Sequence, residues 1–129
     1  MAYKFPFKLI SFIITIVFLS SCAVQYANVK ADQFNELSKQ NNVQLVDVRT
    51  KEEYDTGHIK DALNINVQDS SFLSQIDKLD KNKPILVYCR SGKRSNDATE
   101  IMKKAGFTRI VNLEGGILSW EEAALPINK

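Results

Sequence analysis

Cys89 stands among residue types that activate a thiol for chemistry. It follows an apolar run, Ile85-Leu86-Val87-Tyr88, and precedes a polar run, Arg90-Ser91-Gly92-Lys93-Arg94-Ser95. Three basic side chains within five residues favour the thiolate, which is the nucleophilic form of cysteine. The sequence therefore predicts Cys89 as a nucleophile. An inert core cysteine is the alternative, but a basic cluster beside a core residue would pack poorly.

The residues after Cys89 have the composition of an anion-binding loop. Gly92 permits the backbone conformations that a tight loop requires. A helix predicted over about 95–105 would begin directly after the loop, and a helix N-terminus offers free N–H groups and about half a positive charge. We expect the loop to stabilise a thiolate, a persulfide anion or an oxyanion substrate.

The elements around this loop are predicted to alternate between strands and helices. Short apolar or β-branched runs predict strands at 28–29, 43–48, 62–67, 85–88 and 109–112. Helical spacing of apolar residues, with a capping box at Thr50 and Glu53, predicts helices at 31–40, 50–57, 70–79, 95–105 and 116–124. Such alternation predicts an α/β domain with a mainly parallel five-stranded sheet flanked by helices. Ligand sites of such sheets lie beyond the carboxyl ends of the strands, where Cys89 is placed.

Length and composition limit the function classes. A chain of 129 residues fits one domain, and its 44% hydrophobic and 25% charged residues are typical of a globular protein. A net charge of +2 without a strongly basic run gives no indication of a nucleic-acid partner. The single histidine, His58, cannot build a metal site alone.

The first 21 residues are interpreted as a secretion signal. Lys4 and Lys8 give a positive start, and residues 9–19 form an apolar run about half as long as a bilayer-spanning helix. The following segment, Leu19-Ser20-Ser21-Cys22, resembles a bacterial lipobox, in which the cysteine thiol receives a lipid. A plain signal peptide with an incidental cysteine is the alternative.

This interpretation predicts the arrangement of the mature chain. We expect removal of residues 1–21, a lipid on Cys22, a short tether at 22–27 and a domain at 28–128. The protein would then lie in the cell envelope, anchored to a bacterial membrane and facing the periplasm or the exterior. With Cys22 acylated, Cys89 would be the only free thiol, because the chain has two cysteines.

Several short motifs occur in the order that they have in the rhodanese homology family. They are Leu45-Val46-Asp47-Val48-Arg49, Glu52-Glu53-Tyr54, Gly57-His58-Ile59, Ala62-Leu63-Asn64-Ile65, the loop from Val87 to Ser95, and Leu113-Glu114-Gly115-Gly116-Ile117 with Trp120. The chain resembles this family over about 29–127. The resemblance implies a rhodanese-like three-layer domain.

The resemblance also implies sulfur transfer. Cys89 to Arg94 spans six residues, the length found in sulfurtransferases of this family, whereas related phosphatases and arsenate reductases use one residue more. By resemblance, the Cys89 thiolate takes the outer sulfur of a donor such as thiosulfate, and the persulfide passes it to a thiol or cyanide. The loop N–H groups from Arg90 to Ser95 would hold the sulfur, and Arg90, Lys93 and Arg94 would assist donor binding. No metal or organic cofactor is implied.

Four further residues are assigned to the framework rather than to the chemistry. The resemblance favours Asp47 as a brace for the catalytic loop and Arg49 as the partner of an acid such as Glu53; direct substrate contact is the alternative. His58 follows a glycine in a turn and is predicted to be structural, although assistance to the thiolate is a second possibility. Trp120 is predicted to lie in the core.

Three other functions are open at this point. A non-catalytic rhodanese module could bind partners or carry sulfur, although such modules typically lack the cysteine that is present here. A phosphatase or arsenate reductase is disfavoured by the short loop. A thiol redox protein would use a solvent-accessible Cys89, but with Cys22 acylated the chain would offer no resolving cysteine.

Overall fold

A computed structural model of the protein describes residues 24–129. The predicted signal segment, the lipid attachment at Cys22 and the start of the tether lie outside the described residues. Strands and helices alternate along the described chain. They are β1 (Gln25–Val29), α1 (Ala31–Ser38), β2 (Gln44–Asp47), α2 (Lys51–Thr56), β3 (Leu63–Asn64), α3 (Phe72–Ile76), β4 (Ile85–Tyr88), α4 (Lys93–Lys104), β5 (Arg109–Leu113) and α5 (Gly116–Glu122).

The five strands form one sheet in the order β1-β5-β4-β2-β3, and every neighbouring pair is parallel. This confirms the predicted α/β fold with a five-stranded parallel sheet. All four residues of β4 are buried, because this strand lies in the centre of the sheet between β5 and β2. The carboxyl ends of all five strands share one edge of the sheet, and Cys89 follows β4 at that edge.

Residues of β4 alternate between two hydrophobic layers, one on each face of the sheet. Ile85, Val87 and then Cys89 belong to the layer beneath α3 and α4. Leu86 and Tyr88 belong to the opposite layer, beneath α1 and α5. Helices therefore cover both faces, which gives the three layers that the sequence predicted.

The second layer contains an aromatic group that includes Trp120. The ring of Phe34 contacts the rings of Tyr88 and Trp120 edge-on, with centroids 6.4 Å apart in both pairs. Trp120 is 2% exposed, which confirms its predicted core position. Edge-to-face pairs of this kind add stability beyond their buried area.

Several element boundaries differ from the sequence prediction, including those of β1, α3 and α4. β1 begins at Gln25 rather than at Asn28, so it overlaps the predicted tether at 22–27. The strand extends this far because it pairs with β5. The sequence did not indicate it, since four of the five residues of β1 are exposed and show no alternation of apolar and polar side chains. α4 begins at Lys93 rather than near residue 95, and α3 is a short helix within the predicted 70–79.

The predicted capping box at the start of α2 is confirmed. The Thr50 hydroxyl accepts a hydrogen bond from the backbone N–H of Glu53, and the Glu53 carboxylate accepts one from the backbone N–H of Thr50. Within residues 24–129, none of the helices combines the length and the apolar character needed to cross a bilayer.

Candidate active site

Cys89 lies at the floor of a tight turn between β4 and α4. Its Sγ accepts a hydrogen bond from the backbone N–H of Gly92 at 3.0 Å. The Ser95 hydroxyl oxygen lies 3.3 Å from the same sulfur. Both Cys89 and Ser95 are buried, with 1% and 0% of their surface exposed. The sulfur therefore lies beneath the loop backbone rather than on the protein surface.

Ser95 links the sulfur to the loop backbone. Its hydroxyl lies 3.1 Å from the carbonyl oxygen of Gly92 and can donate either to that oxygen or to Sγ. When Cys89 is a thiol, the S–H can donate to Ser95, and the hydroxyl donates to Gly92. When Cys89 is a thiolate, the hydroxyl can turn and donate to the sulfur. The arrangement thus accommodates both states of the thiol without moving the backbone.

Gly92 is required for the shape of the turn. Its φ of +112° lies in a region that residues with a Cβ rarely adopt. This conformation points the Gly92 N–H at Sγ and leads directly into α4, whose first turn closes with a hydrogen bond from the N–H of Asn96 to the carbonyl of Gly92. Of the predicted loop N–H groups, that of Gly92 is the one that contacts the sulfur.

The N-terminus of α5 holds the loop from the other side. The N–H of Ile117 donates to the Cys89 carbonyl at 2.8 Å, and the N–H of Leu118 donates to the Arg90 carbonyl at 3.2 Å. Gly116 allows this approach: a Cβ there would lie 2.6 Å from the Cys89 carbonyl oxygen and closer still to the carbonyl of Arg90. The sequence motif that contains Gly115 and Gly116 did not indicate this role in the site.

The three basic residues of the loop have different environments. Arg90 and Lys93 are exposed, as is Ser91. Arg94 is partly buried and donates from both terminal nitrogens to the two carboxylate oxygens of Glu53, at 2.7 and 2.8 Å. The guanidinium of Arg94 is therefore held by a carboxylate, and its assistance to donor binding stays a prediction.

The Arg94–Glu53 pair changes the ionisation of both groups. The hydrogen bonds of Arg94 lower the pKa of Glu53 to about 2, with further help from the Thr50 backbone and hydroxyl. The same hydrogen bonds raise the pKa of Arg94 above its ordinary value, and the nearby charge of Cys89 adds to this. The two side chains form a pair at the end of the loop that is charged at neutral pH.

Asp47 and Arg49 pair with each other, so Arg49 binds an acid, as predicted, and that acid is Asp47. The Asp47 carboxylate accepts from the backbone N, Nε and Nη2 of Arg49, at 2.7 to 3.1 Å. Arg49 also donates to the carbonyl of Gly57. Glu53, the predicted partner of Arg49, binds Arg94 instead. Asp47 does not brace the loop because it shares the sheet face of Leu45, and Cys89 lies on the opposite face.

Burial and pairing act in opposite directions on Arg49. Burial alone lowers the pKa of the guanidinium, but the hydrogen bonds and the charge of Asp47 outweigh it, so the pKa is raised. The pair is almost completely buried, with 6% and 0% of the two side chains exposed. It therefore connects the end of β2 to the turn after α2 as part of the framework.

His58 occupies a structural position, as predicted. Its ring stacks on Tyr54 with centroids 3.8 Å apart, and Nδ1 lies 3.0 Å from the Tyr54 carbonyl oxygen. Its backbone exchanges two hydrogen bonds with Asn128, which fixes the chain end to the turn. Across residues 24–129, no cluster of three or more histidine, cysteine or acidic side chains could hold a metal.

The fold and this loop define a class of protein, and sequence comparison names it. Residues 30–123 match the family described as "Rhodanese-like domain". The chain therefore belongs to the rhodanese-like domain family. A solved structure of a rhodanese-related protein from Thermoplasma volcanium superposes with a TM-score of 0.71 at 32% identity, covering 80% of this chain and 98% of that one.

Relatives with assigned names include sulfurtransferases and tRNA uridine(34) hydroxylases. A sulfurtransferase of Allochromatium vinosum is 36% identical over 91 residues, covering 70% of this chain and 83% of the relative. Thiosulfate sulfurtransferase GlpE of Shewanella oneidensis is 29% identical over 98 residues, 76% of this chain and 95% of the relative. A tRNA uridine(34) hydroxylase of Aster yellows witches'-broom phytoplasma is 34% identical over 73% of this chain, which spans only 32% of that larger protein. At the family level, the chain is a sulfurtransferase-type enzyme.

Proposed function

We propose that the protein transfers sulfane sulfur from thiosulfate or a persulfide donor to a thiol or cyanide through a persulfide on Cys89. The observation that carries this proposal is the position of Sγ at the carboxyl end of β4, with the Gly92 N–H and the Ser95 hydroxyl within hydrogen-bond distance. Donors placed around a sulfur favour its anionic forms, the thiolate and the persulfide.

The proposed reaction has two steps, each a displacement at sulfur. In the first step, the Cys89 thiolate attacks the outer sulfur of thiosulfate, the sulfur–sulfur bond of the donor breaks, and sulfite leaves with its electron pair. In the second step, an acceptor thiolate or cyanide attacks the outer sulfur of the persulfide, and the Cys89 thiolate leaves. The first step stores the sulfur on the enzyme, which divides one transfer into two easier ones.

The structure supports a separate role for each part of the loop. The N–H of Gly92 and the hydroxyl of Ser95 hold the Cys89 sulfur, while the exposed side chains of Arg90 and Lys93 attract anionic donors. The N–H groups of Ile117 and Leu118 hold the loop backbone. No step needs a metal or an organic cofactor, because the leaving groups, sulfite and thiolate, are stable anions.

The N-terminal sequence supports a location in the cell envelope as part of this proposal. A lipid on Cys22 would anchor the domain to a bacterial membrane, facing the periplasm or the exterior. Labelled palmitate should enter the wild-type chain but not Cys22→Ala when each is produced in bacterial cells. Equal labelling of both would contradict the anchor and leave the chemistry of Cys89 unaffected.

Thiocyanate formation from thiosulfate and cyanide by the purified full chain tests the proposed reaction. We expect turnover by the wild type, and the mass of one added sulfur on the peptide that contains Cys89 after thiosulfate treatment. Cys89→Ser should lose both signals. Added sulfur without turnover would indicate a sulfur carrier that needs its own acceptor. Absence of both signals from a folded wild type would refute the proposed function.

A further inference from the structure

The loop beside Cys89 carries three cations, but only two of them are free to act on a donor. Arg94 is paired with Glu53 through two hydrogen bonds. Among residues 24–129, neither Arg90 nor Lys93 has a carboxylate within ion-pair distance. Glu53 therefore removes one unit of positive charge from the loop.

Glu53 is held in this position from two directions. Its carboxylate accepts from the backbone N–H and the hydroxyl of Thr50, both at 3.1 Å, and from both terminal nitrogens of Arg94. The two paired side chains are only 23% and 29% exposed. With a pKa of about 2, Glu53 also stays ionised throughout the neutral range. Compensation of the Arg94 charge is thus a constant property of the folded loop.

The pair lies close enough to Cys89 to affect anions bound there. Arg94 directly precedes Ser95, whose hydroxyl is 3.3 Å from Sγ. Arg94 and Cys89 belong to the same six-residue loop, so a negative charge at Sγ and the positive charge of Arg94 act on each other. Any anion that places its outer sulfur on Sγ lies within the same field, because this field is weakly screened at a partly buried site.

We propose that Glu53 determines the donor specificity of the site by matching it to monoanionic donors, such as a persulfide or a thiosulfonate, rather than to dianionic thiosulfate. This inference rests on the proposed function and names the class of donor for the same site. A third cation in the loop would add about twice as much electrostatic binding free energy to a donor with two negative charges as to a donor with one. Because the carboxylate of Glu53 compensates the charge of Arg94, the site loses more binding free energy for thiosulfate than for a monoanionic donor.

Two donors of nearly equal shape isolate the effect of charge. Methanethiosulfonate differs from thiosulfate by a methyl group in place of one charged oxygen, and it transfers its outer sulfur in the same way, releasing methanesulfinate. For every variant of the full chain, kcat/KM is measured for each donor with cyanide as acceptor. The donor ratio is kcat/KM for thiosulfate divided by kcat/KM for methanethiosulfonate.

Glu53→Gln is the test variant, because glutamine keeps the capping box while removing the charge. We expect about a threefold gain per unit of donor charge, hence about ninefold for thiosulfate and about threefold for methanethiosulfonate, mainly through KM. The donor ratio should therefore move about threefold towards thiosulfate, and high salt should reduce the shift without abolishing it.

Two controls separate this effect from net charge and from unfolding. Glu52→Gln removes an exposed neighbouring carboxylate that makes no side-chain hydrogen bond or ion pair within the described residues, so it should leave the donor ratio unchanged. In the double variant with Arg94→Gln, the cation is removed too, and the ratio should return to that of the wild type. Melting temperatures show whether each variant is folded.

An unchanged donor ratio in folded Glu53→Gln, or an equal shift in Glu52→Gln, would overturn the inference. If the wild type turns over neither donor, the proposed function fails, and a second readout still tests the charge effect. The rate of Cys89 alkylation by anionic iodoacetate, relative to neutral iodoacetamide, should rise in Glu53→Gln. No rise in that relative rate would overturn the inference independently of turnover.

Discussion

Replacing Gly116 by alanine would test whether the N-terminus of α5 holds the catalytic loop. The new Cβ would lie 2.6 Å from the Cys89 carbonyl oxygen and closer still to the Arg90 carbonyl, which is backbone and cannot rotate away. The loop and α5 must therefore separate. That movement would break the hydrogen bonds from Ile117 and Leu118 to the two carbonyls.

The cost can be estimated from these contacts. A φ of +63° costs a residue with a Cβ about 1 kcal/mol, and each lost backbone hydrogen bond costs about 1 kcal/mol. We expect Gly116→Ala to lower the free energy of unfolding by about 3 kcal/mol. Sulfur transfer should fall about 100-fold in the folded fraction, because a reacting atom displaced by about 1 Å loses this much rate.

Gly106→Ala provides a matched control for backbone strain. Gly106 also has a positive φ, +100°, but the nearest atom to an added Cβ there is the flexible end of Lys81, at 3.7 Å. Gly106 follows α4 at the end opposite to the loop. The Gly106→Ala variant should therefore lose about 1 kcal/mol in its free energy of unfolding and keep its full activity.

Urea unfolding and thiocyanate formation, measured on both variants, separate the two effects. Sulfur transfer at the wild-type rate by folded Gly116→Ala would refute the role of α5 in holding the catalytic loop. Equal losses of activity in the two variants would also refute it, because strain alone would then account for the effect.

Three further predictions concern side chains around the loop. The Glu53–Arg94 pair should stabilise the fold by about 2 kcal/mol above pH 4.5, and this contribution should disappear as the pH falls towards the Glu53 pKa of about 2, so the urea stabilities of wild type and Glu53→Gln should converge in acid. Ser95→Ala should slow persulfide formation about tenfold in rapid-mixing experiments with little change in KM, since it removes a donor to the anionic sulfur; an unchanged rate would contradict its role. Asp47→Ala should lower stability by about 3 kcal/mol in urea because it leaves Arg49 buried without a partner, and a loss below about 1 kcal/mol would contradict this.

Local sequence patterns predicted the elements that carry the chemistry. The apolar run before Cys89 indicated a buried strand, and the structure places β4 there in the centre of the sheet. Thr50 and Glu53, three residues apart, predicted a capping box that is present. In each case the residues that form the structural feature lie within a few positions of one another in the sequence, so periodicity and spacing were sufficient to predict it.

Contacts between distant segments were not predictable in the same way. Arg94 and Glu53 are 41 positions apart, so no local pattern indicated their pairing, and Arg49 was predicted to bind an acid such as Glu53; which arginine Glu53 binds depends on the fold. The alternation of β2 decides it, because Arg49 lies next to Asp47 on the face away from Cys89. The contact of Gly116 with the loop likewise depends on how α5 packs, which only the folded chain shows.

The common direction of the strands separates the two ends of the domain. Residues that begin strands, such as Gln25 and Arg109, lie at one pole, whereas Cys89 follows the end of a strand at the other. Five residues of β1 span about 16 Å at roughly 3.3 Å per residue. A protein fused before Gln25, or a surface to which this end is attached, would therefore lie at the pole opposite the active-site loop and leave the exposed residues of that loop facing outward. Immobilisation through the N-terminus would present a whole layer of domains with their loops exposed.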